Sequence, residues 1–153
     1  MKEDDLKQVA IKIIQKSTLD NIDLELVRNE AEILRLNKHN SVINLIKSFE
    51  NFENFYIVME YFEDSICLVD YIKNANYDIS PIKTKIIVKK VFDAISFLQS
   101  NNVICRNIKT ENILIKDNLE IKFINFRFSR FLGKNQFIVN EPFGAMVLFL
   151  HII

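Results

Sequence analysis

Glycine and proline occur only twice each in these 153 residues, and tryptophan is absent. A domain with many turns normally uses more glycine, so left-handed turn positions fall to asparagine, which is abundant here and tolerates them. Two cysteines, Cys67 and Cys105, are too few for a secreted disulfide framework, and the opening Met-Lys-Glu-Asp-Asp is too acidic for a signal peptide. Both point to a reducing, intracellular compartment, cytoplasmic or nuclear. No charge of one sign dominates: 20 basic residues balance 20 acidic ones, which argues against a nucleic-acid partner. The longest apolar run, 145–153, is about half the ~20 residues that a membrane helix needs, so no membrane span is expected. His39 and His151 lack partners at ligand spacing, which argues against zinc. No internal repeat or low-complexity segment appears. What remains is the composition of a globular chain, 49% hydrophobic and 26% charged, long enough for one core.

Residues 8–15, Gln-Val-Ala-Ile-Lys-Ile-Ile-Gln, form a β-branched apolar run that predicts a strand buried on both faces. Leu26, Val27, Ile33 and Leu34 recur at helical spacing within 19–36. Two strand-like runs, 42–49 and 55–61, flank a polar stretch of hairpin length. A polar hinge at 62–65 precedes a short helix over 66–75. Ser80 then caps, and Pro81 opens, a long helix whose apolar stripe runs through Ile82, Ile86, Ile87, Val91, Ala94, Ile95 and Leu98. Short β pieces at 112–115 and 120–124 flank the turn Lys116-Asp117-Asn118.

Two charges stand where charges are costly. Lys12 shares a strand face with Ala10 and Ile14, and Glu30 lies in line with Leu26 and Leu34 on the apolar side of the first helix. Each explains the other if the lysine reaches the glutamate. The alternative is that both reach solvent at an edge, the ordinary fate of a surface Lys and Glu.

Val9-Ala10-Ile11-Lys12 is also the motif that carries the phosphate-contacting lysine of protein kinases, and the chain resembles part of a protein kinase domain. Glu30 falls at the matching helix glutamate. Residues 104–114, Ile-Cys-Arg-Asn-Ile-Lys-Thr-Glu-Asn-Ile-Leu, resemble the catalytic loop, and Ile124-Asn125-Phe126-Arg127 resembles the metal-binding Asp-Phe-Gly turn. Tyr56 to Phe62 is similar to the strand and hinge that hold adenine, and Asn140 to Ala145 to the end of an activation segment. The general look is nearest to serine/threonine kinases of the calcium/calmodulin-dependent type. The resemblance implies an α+β, incomplete protein-kinase-like bilobal fold. Residues 1–62 would be a partial N-lobe with third strand, regulatory helix, fourth and fifth strands and hinge. Residues 63–153 would be a partial C-lobe with two helices, catalytic loop, metal turn and the start of the activation segment. A Gly-rich phosphate lid before Val9 and the supporting helices after Ala145 are expected to be missing.

The same resemblance assigns site residues. Lys12, Glu30, Asn107 and Lys109 take catalytic positions; Ala10, Lys12, Met59, Glu60, Phe62 and Leu114 would line an ATP site; Asn112 and Asn125 take the metal positions. The family's catalytic-loop aspartate accepts the substrate proton, and Asn107 has no base to offer; losing a general base removes about 10²- to 10⁴-fold in rate. Asn125 replaces an anionic Mg²⁺ ligand by a neutral one. Arg127 replaces the flexible turn glycine, and Ala145 a threonine that organises the loop. Cys105 replaces a histidine stacked beneath Phe126, with Leu34 and Leu45 as further members of that column, and reads as a packed rather than a reactive thiol. The expectation is a pseudokinase-type domain with at most weak ATP and Mg²⁺ binding and an interaction role toward a true kinase or a kinase substrate. Two alternatives stay open: an ATP-dependent serine/threonine kinase of low activity or active only with a lid supplied by another chain, and a degenerate or misassembled gene product.

Overall fold

A computed structural model describes residues 8–133 of the chain. The expectations for the activation-segment end at 140–145, including Ala145, and for the apolar tail beyond it lie outside the described residues. The architecture is α+β, as the resemblance implies.

Strand β1 (Val9–Gln15) leads through a short 3₁₀ turn to helix α1 (Asn21–Leu36), then to β2 (Leu45–Glu50) and β3 (Asn54–Glu60). The three strands form an antiparallel sheet in the order β1-β3-β2, with Lys12 opposite Ile57. Helix α1 starts where Asp20 accepts a hydrogen bond from the Asp23 N–H at 2.7 Å, satisfying a donor that the first turn leaves free. It ends where the buried Asn37 side chain donates to the Ile33 carbonyl at 2.8 Å. Between these ends it buries Leu26, Val27, Glu30, Ala31, Ile33 and Leu34.

The sequence expectation for β1 needs correction. The strand alternates, with Val9, Ile11 and Ile13 exposed while Ala10, Lys12 and Ile14 are half-buried. An apolar run reads as doubly buried only if layers cover both faces of its sheet. Here β1 is an edge strand, and among the described residues only its inner face meets the core.

The second half opens with β4 (Ile66–Cys67) and α2 (Leu68–Asn74). Helix α3 (Pro81–Ser100) follows, with the Ser80 hydroxyl accepting from the Lys83 N–H and Pro81 in the first position, as the sequence predicts. Its apolar stripe is buried at Ile87, Ala94 and Leu98, but Ile82 and Ile86 at the start are exposed at 75% and 39%, against expectation. At the start of the helix the described residues leave this part of the stripe open to solvent. Strands β5 (Val103–Ile104) and β8 (Arg130–Phe131) pair, and β6 (Ile113–Ile115) and β7 (Ile121–Phe123) form the expected hairpin, extended by β4.

One core joins the two halves. The Ile43 N–H donates to the Phe123 carbonyl at 2.9 Å and the Phe123 N–H to the Ser41 carbonyl at 2.9 Å, a parallel bridge between the segment before β2 and the end of β7. Val27, Ile33 and Leu34 of α1 share a buried cluster with Ile57, Leu98, Ile113, Phe123 and Phe126. Among the described residues, no helix is long and apolar enough to cross a membrane.

The scarcity of glycine shows in the backbone. Asp64, Asn76, Tyr77, Asn102 and Leu119 all hold positive φ, from 50° to 63°. Asparagine takes two of these positions, as expected; Tyr77 and Leu119 hold theirs against the Cβ clash that makes this region cost about 1–2 kcal/mol. Tyr77 is 75% exposed, so little packing opposes its replacement. Tyr77→Gly should therefore raise the urea midpoint, by up to about 1 kcal/mol of stability. Leu98→Ala, at a fully buried site, should lower stability by about 2–5 kcal/mol in the same titration.

Candidate functional site

The site begins with the two misplaced charges. Alternation along β1 turns Lys12 toward α1, and helical spacing turns Glu30 inward with Leu26 and Leu34. Lys12 Nζ donates to Glu30 Oε1 at 3.0 Å and Oε2 at 2.8 Å. The Glu30 side chain is fully buried while that of Lys12 is 32% exposed, so the edge-of-solvent alternative does not hold for the carboxylate. Glu30 Oε1 also accepts the backbone N–H of Phe126 at 3.3 Å. A buried carboxylate needs such donors to offset its lost hydration. Here they come from a strand and from a turn 96 residues away along the chain.

That turn follows β7. The Asn125 Oδ1 accepts from the Arg127 N–H at 3.3 Å, and its Nδ2 donates to Asn112 Oδ1 at 3.4 Å. Asn112 Nδ2 in turn donates to the Asn107 carbonyl at 3.0 Å. Backbone bonds hold the frame: Ile124 N–H to the Asn112 carbonyl at 3.1 Å and Asn112 N–H to the Lys109 carbonyl at 3.0 Å. Three of the predicted positions, Asn107, Asn112 and Asn125, are thus in one bonded chain. Mg²⁺ takes hard, preferably anionic oxygens. Two neutral carboxamides whose oxygens already accept hydrogen bonds do not fit it, and among the described residues no group of three His, Cys, Asp or Glu side chains offers a substitute.

Further ties fasten α1 to the turn, and sequence reasoning missed them. Arg127 pairs with Asp23 and Asn29 Nδ2 donates to the Ser129 carbonyl at 2.6 Å, while Arg106 Nε, from the segment after β5 and not from α1, donates to the Phe128 carbonyl at 2.6 Å. Arg127 stood out as an odd residue in a turn, but nothing in the sequence points to Asp23 as its partner, 104 residues away. Phe126 is buried in the same core cluster as Leu34, with Leu45 and Cys105 partly buried against that cluster. Burial pushes the Cys105 thiol up to about 11, against the lowering effect of a hydrogen bond with Ser129. His39 stacks on Phe97 at 4.7 Å and its Nδ1 accepts from the Ser41 N–H, a packing role.

The remaining positions are more dispersed. Ala10 lies opposite Met59 across β1 and β3. The Glu60 N–H is taken by the Asn44 carbonyl at 3.0 Å, and its carboxylate by Lys122 at 2.6 Å and the Asn44 N–H at 2.7 Å. The Phe62 ring has the Lys116 and Lys122 ammonium groups over it at 4.4 and 5.5 Å. Leu114 sits on β6 between Cys67 and Lys122. Lys109 borders an apolar cavity of about 420 Å³ with Leu68, Ile72, Ile87, Val91 and Ile113, whose lining includes none of the three asparagines.

Two outcomes follow from this geometry. Lys12→Met strands a buried carboxylate and should cost about 3–5 kcal/mol in urea unfolding, whereas the double change with Glu30→Leu should recover at least half of that loss. At pH 8 Cys105 should react with iodoacetamide at least about tenfold more slowly in the folded chain than in urea, because its raised pKa leaves little thiolate; peptide mass spectrometry reads the rate.

Comparison with known proteins agrees with this arrangement. The protein kinase domain family matches residues 1–146. The serine/threonine-protein kinase SIK1 of Mus musculus is 32% identical over 124 residues, covering 81% of this chain and 16% of that protein. NUAK family SNF1-like kinase 1 of Mus musculus is 34% identical over 131 residues, covering 85% and 20%. Serine/threonine-protein kinase TIO of Arabidopsis thaliana is 32% identical over 145 residues, covering 90% and 10%. The chain therefore spans between a tenth and a fifth of the length of these curated relatives. The family in general uses ATP and Mg²⁺ and acts on protein substrates. With a family match over nearly its whole length and relatives above 30% identity, the chain belongs to the protein kinase family, on its serine/threonine side.

Proposed function

We propose that this kinase domain is of the pseudokinase type: it takes an adenine nucleotide between the β1–β3 sheet and β6 but does not transfer its phosphoryl group. The observation that carries the reading is the replacement of both working carboxylates by carboxamides, Asn107 and Asn125, within an otherwise assembled Lys12–Glu30–Phe126 frame. Lys12 and Glu30 keep the geometry that presents an ammonium to a phosphate. Asn107 has no lone pair basic enough to accept a hydroxyl proton in the transfer step. In this reading Ala10 and Leu114 sandwich adenine, Met59 backs the pocket, and the Glu60 carbonyl and the Phe62 N–H meet the base edge. Lys109, next to the base position, would stand by the transferred phosphoryl in an active relative. Residues 62–65, where the Ser65 hydroxyl donates to the Phe62 carbonyl at 2.5 Å, act as the hinge between a lobe at 1–62 and a lobe at 63–153. The role left for such a domain is to engage a true kinase or a kinase substrate through its surface, in the cytoplasm or nucleus.

A second reading, a slow serine/threonine kinase, is favoured by one finding: two relatives at 32% identity, SIK1 and TIO, are serine/threonine-protein kinases by name. The two separate cleanly. ATP at about 100 times its dissociation constant should add about 2.7 kcal/mol to stability in thermal melts. Under the same conditions, no label from γ-phosphate-labelled ATP should reach protein or peptide. Binding with transfer would support the second reading. A cooperative melt that ATP leaves unmoved would remove the nucleotide site from the proposal.

A further inference from the structure

We propose that the nucleotide this chain recognises is the metal-free form, because Asn112 and Asn125 bond to each other across the place where a divalent cation would bridge them. The inference rests on the nucleotide-binding reading above and deepens it.

The orientation of the two carboxamides is dictated from both ends of their chain. The Asn107 carbonyl can only accept, so Asn112 must turn its Nδ2 toward it, at 3.0 Å, and its oxygen toward Asn125. The Arg127 N–H can only donate, so Asn125 must turn its oxygen toward it, at 3.3 Å, and its Nδ2 toward Asn112. The two requirements meet in a single donor–acceptor contact of 3.4 Å between Asn125 Nδ2 and Asn112 Oδ1. A polar hydrogen of Asn125 thus stands where a cation would stand between two oxygens. Ligation by both residues would require Asn125 to rotate its oxygen inward, giving up the Arg127 and Asn112 bonds. Mg²⁺ also dehydrates reluctantly and is usually held through carboxylates, and this pair offers it no charge.

The same geometry shows what a single atom exchange would do. An aspartate at 125 could still accept from the Arg127 N–H but could no longer donate to Asn112, leaving two oxygens face to face. Neighbouring ligands of an octahedral Mg²⁺ lie about 3 Å apart. The present spacing of 3.4 Å is close to that, so one residue decides between a hydrogen-bonded pair and a pair of ligands. Lys12, 2.8 Å from Glu30 and partly exposed, remains a cation that phosphate can reach without metal.

The test uses the 153-residue chain. Calorimetric titration with ATP in EDTA and again in MgCl₂ should give dissociation constants within about threefold of each other; a tenfold or greater tightening in MgCl₂ would overturn the proposal, since it is about 1.4 kcal/mol of metal-dependent binding. Independently of nucleotide, Mn²⁺ is added while the side-chain amide signals of Asn112 and Asn125 are followed by NMR. The wild-type signals should stay sharp at Mn²⁺ concentrations that broaden Asn112 in Asn125→Asp; equal broadening in both proteins would sink the idea. Asn112→Asp, with Asn125 followed instead, serves if Asn125→Asp does not fold. If ATP fails to bind in either buffer, the nucleotide reading of the site and the metal-free ligand fall together. The Mn²⁺ result would then still decide whether the asparagine pair excludes a cation.

Discussion

The buried carboxylate of Glu30 is the constraint around which the rest of this structure is arranged. It sits in the apolar face of α1 without contact with water, and two outside donors, the Lys12 ammonium and the Phe126 N–H, accompany it there. Each comes from a different part of the chain. Lys12 fixes the lateral position of β1 against α1, and Phe126 fixes the turn after β7 beneath the same helix. If α1 slid by one turn, the carboxylate would lose both donors and the core would gain an unpaired charge. One ionised group thus specifies the mutual placement of a sheet, a helix and a loop. Hydrophobic burial, which is not directional, would leave that placement less sharply defined.

The neighbouring asparagines follow a different logic. A carboxylate at position 125 would turn an oxygen toward the Asn112 oxygen and call for a cation. The carboxamides of Asn112 and Asn125 carry a donor and an acceptor each, so they complete one another's hydrogen bonds and those of the Asn107 carbonyl and the Arg127 N–H. The turn is consequently held by the protein's own groups. Arg127, where the family has glycine, adds to this by reaching Asp23 on α1, while Asn29 holds the Ser129 carbonyl on the same side. The family's spatial frame persists with its metal-demanding charges removed.

Much of this was legible in the sequence because the signals are local. Ser80 and Pro81 mark the start of α3 by satisfying, or not needing, the donors of a first helical turn, and both do so in the structure. The 3.6-residue period placed Glu30 on the buried side, and the two-residue period placed Lys12 on the inner face. Their meeting could be inferred from the cost of leaving either alone. The asparagine positions came from order and spacing in the resemblance, and the structure joins them by hydrogen bonds. What failed was any inference that depended on a covering layer. Val9, Ile11 and Ile13 look like core, as do Ile82 and Ile86, and all five are exposed. Apolarity states what a residue would gain by burial; it does not say that another element is there to bury it.

The sequence by itself determined the first helix, the long helix α3, the main strands and the pairing of Lys12 with Glu30, because these depend on periodicities within single elements and on the cost of an unpaired charge, while the neutral side chains at Asn107 and Asn125 were read through the family resemblance. Only the tertiary structure decided the partners across large separations: Asp23 for Arg127, the Phe126 N–H for Glu30, and the direction in which Asn112 and Asn125 turn their amide groups. A hydrogen-bond donor in a sequence is compatible with any acceptor in the chain. The choice is made when burial removes water and leaves each polar group only the neighbours that the packed core has brought within reach.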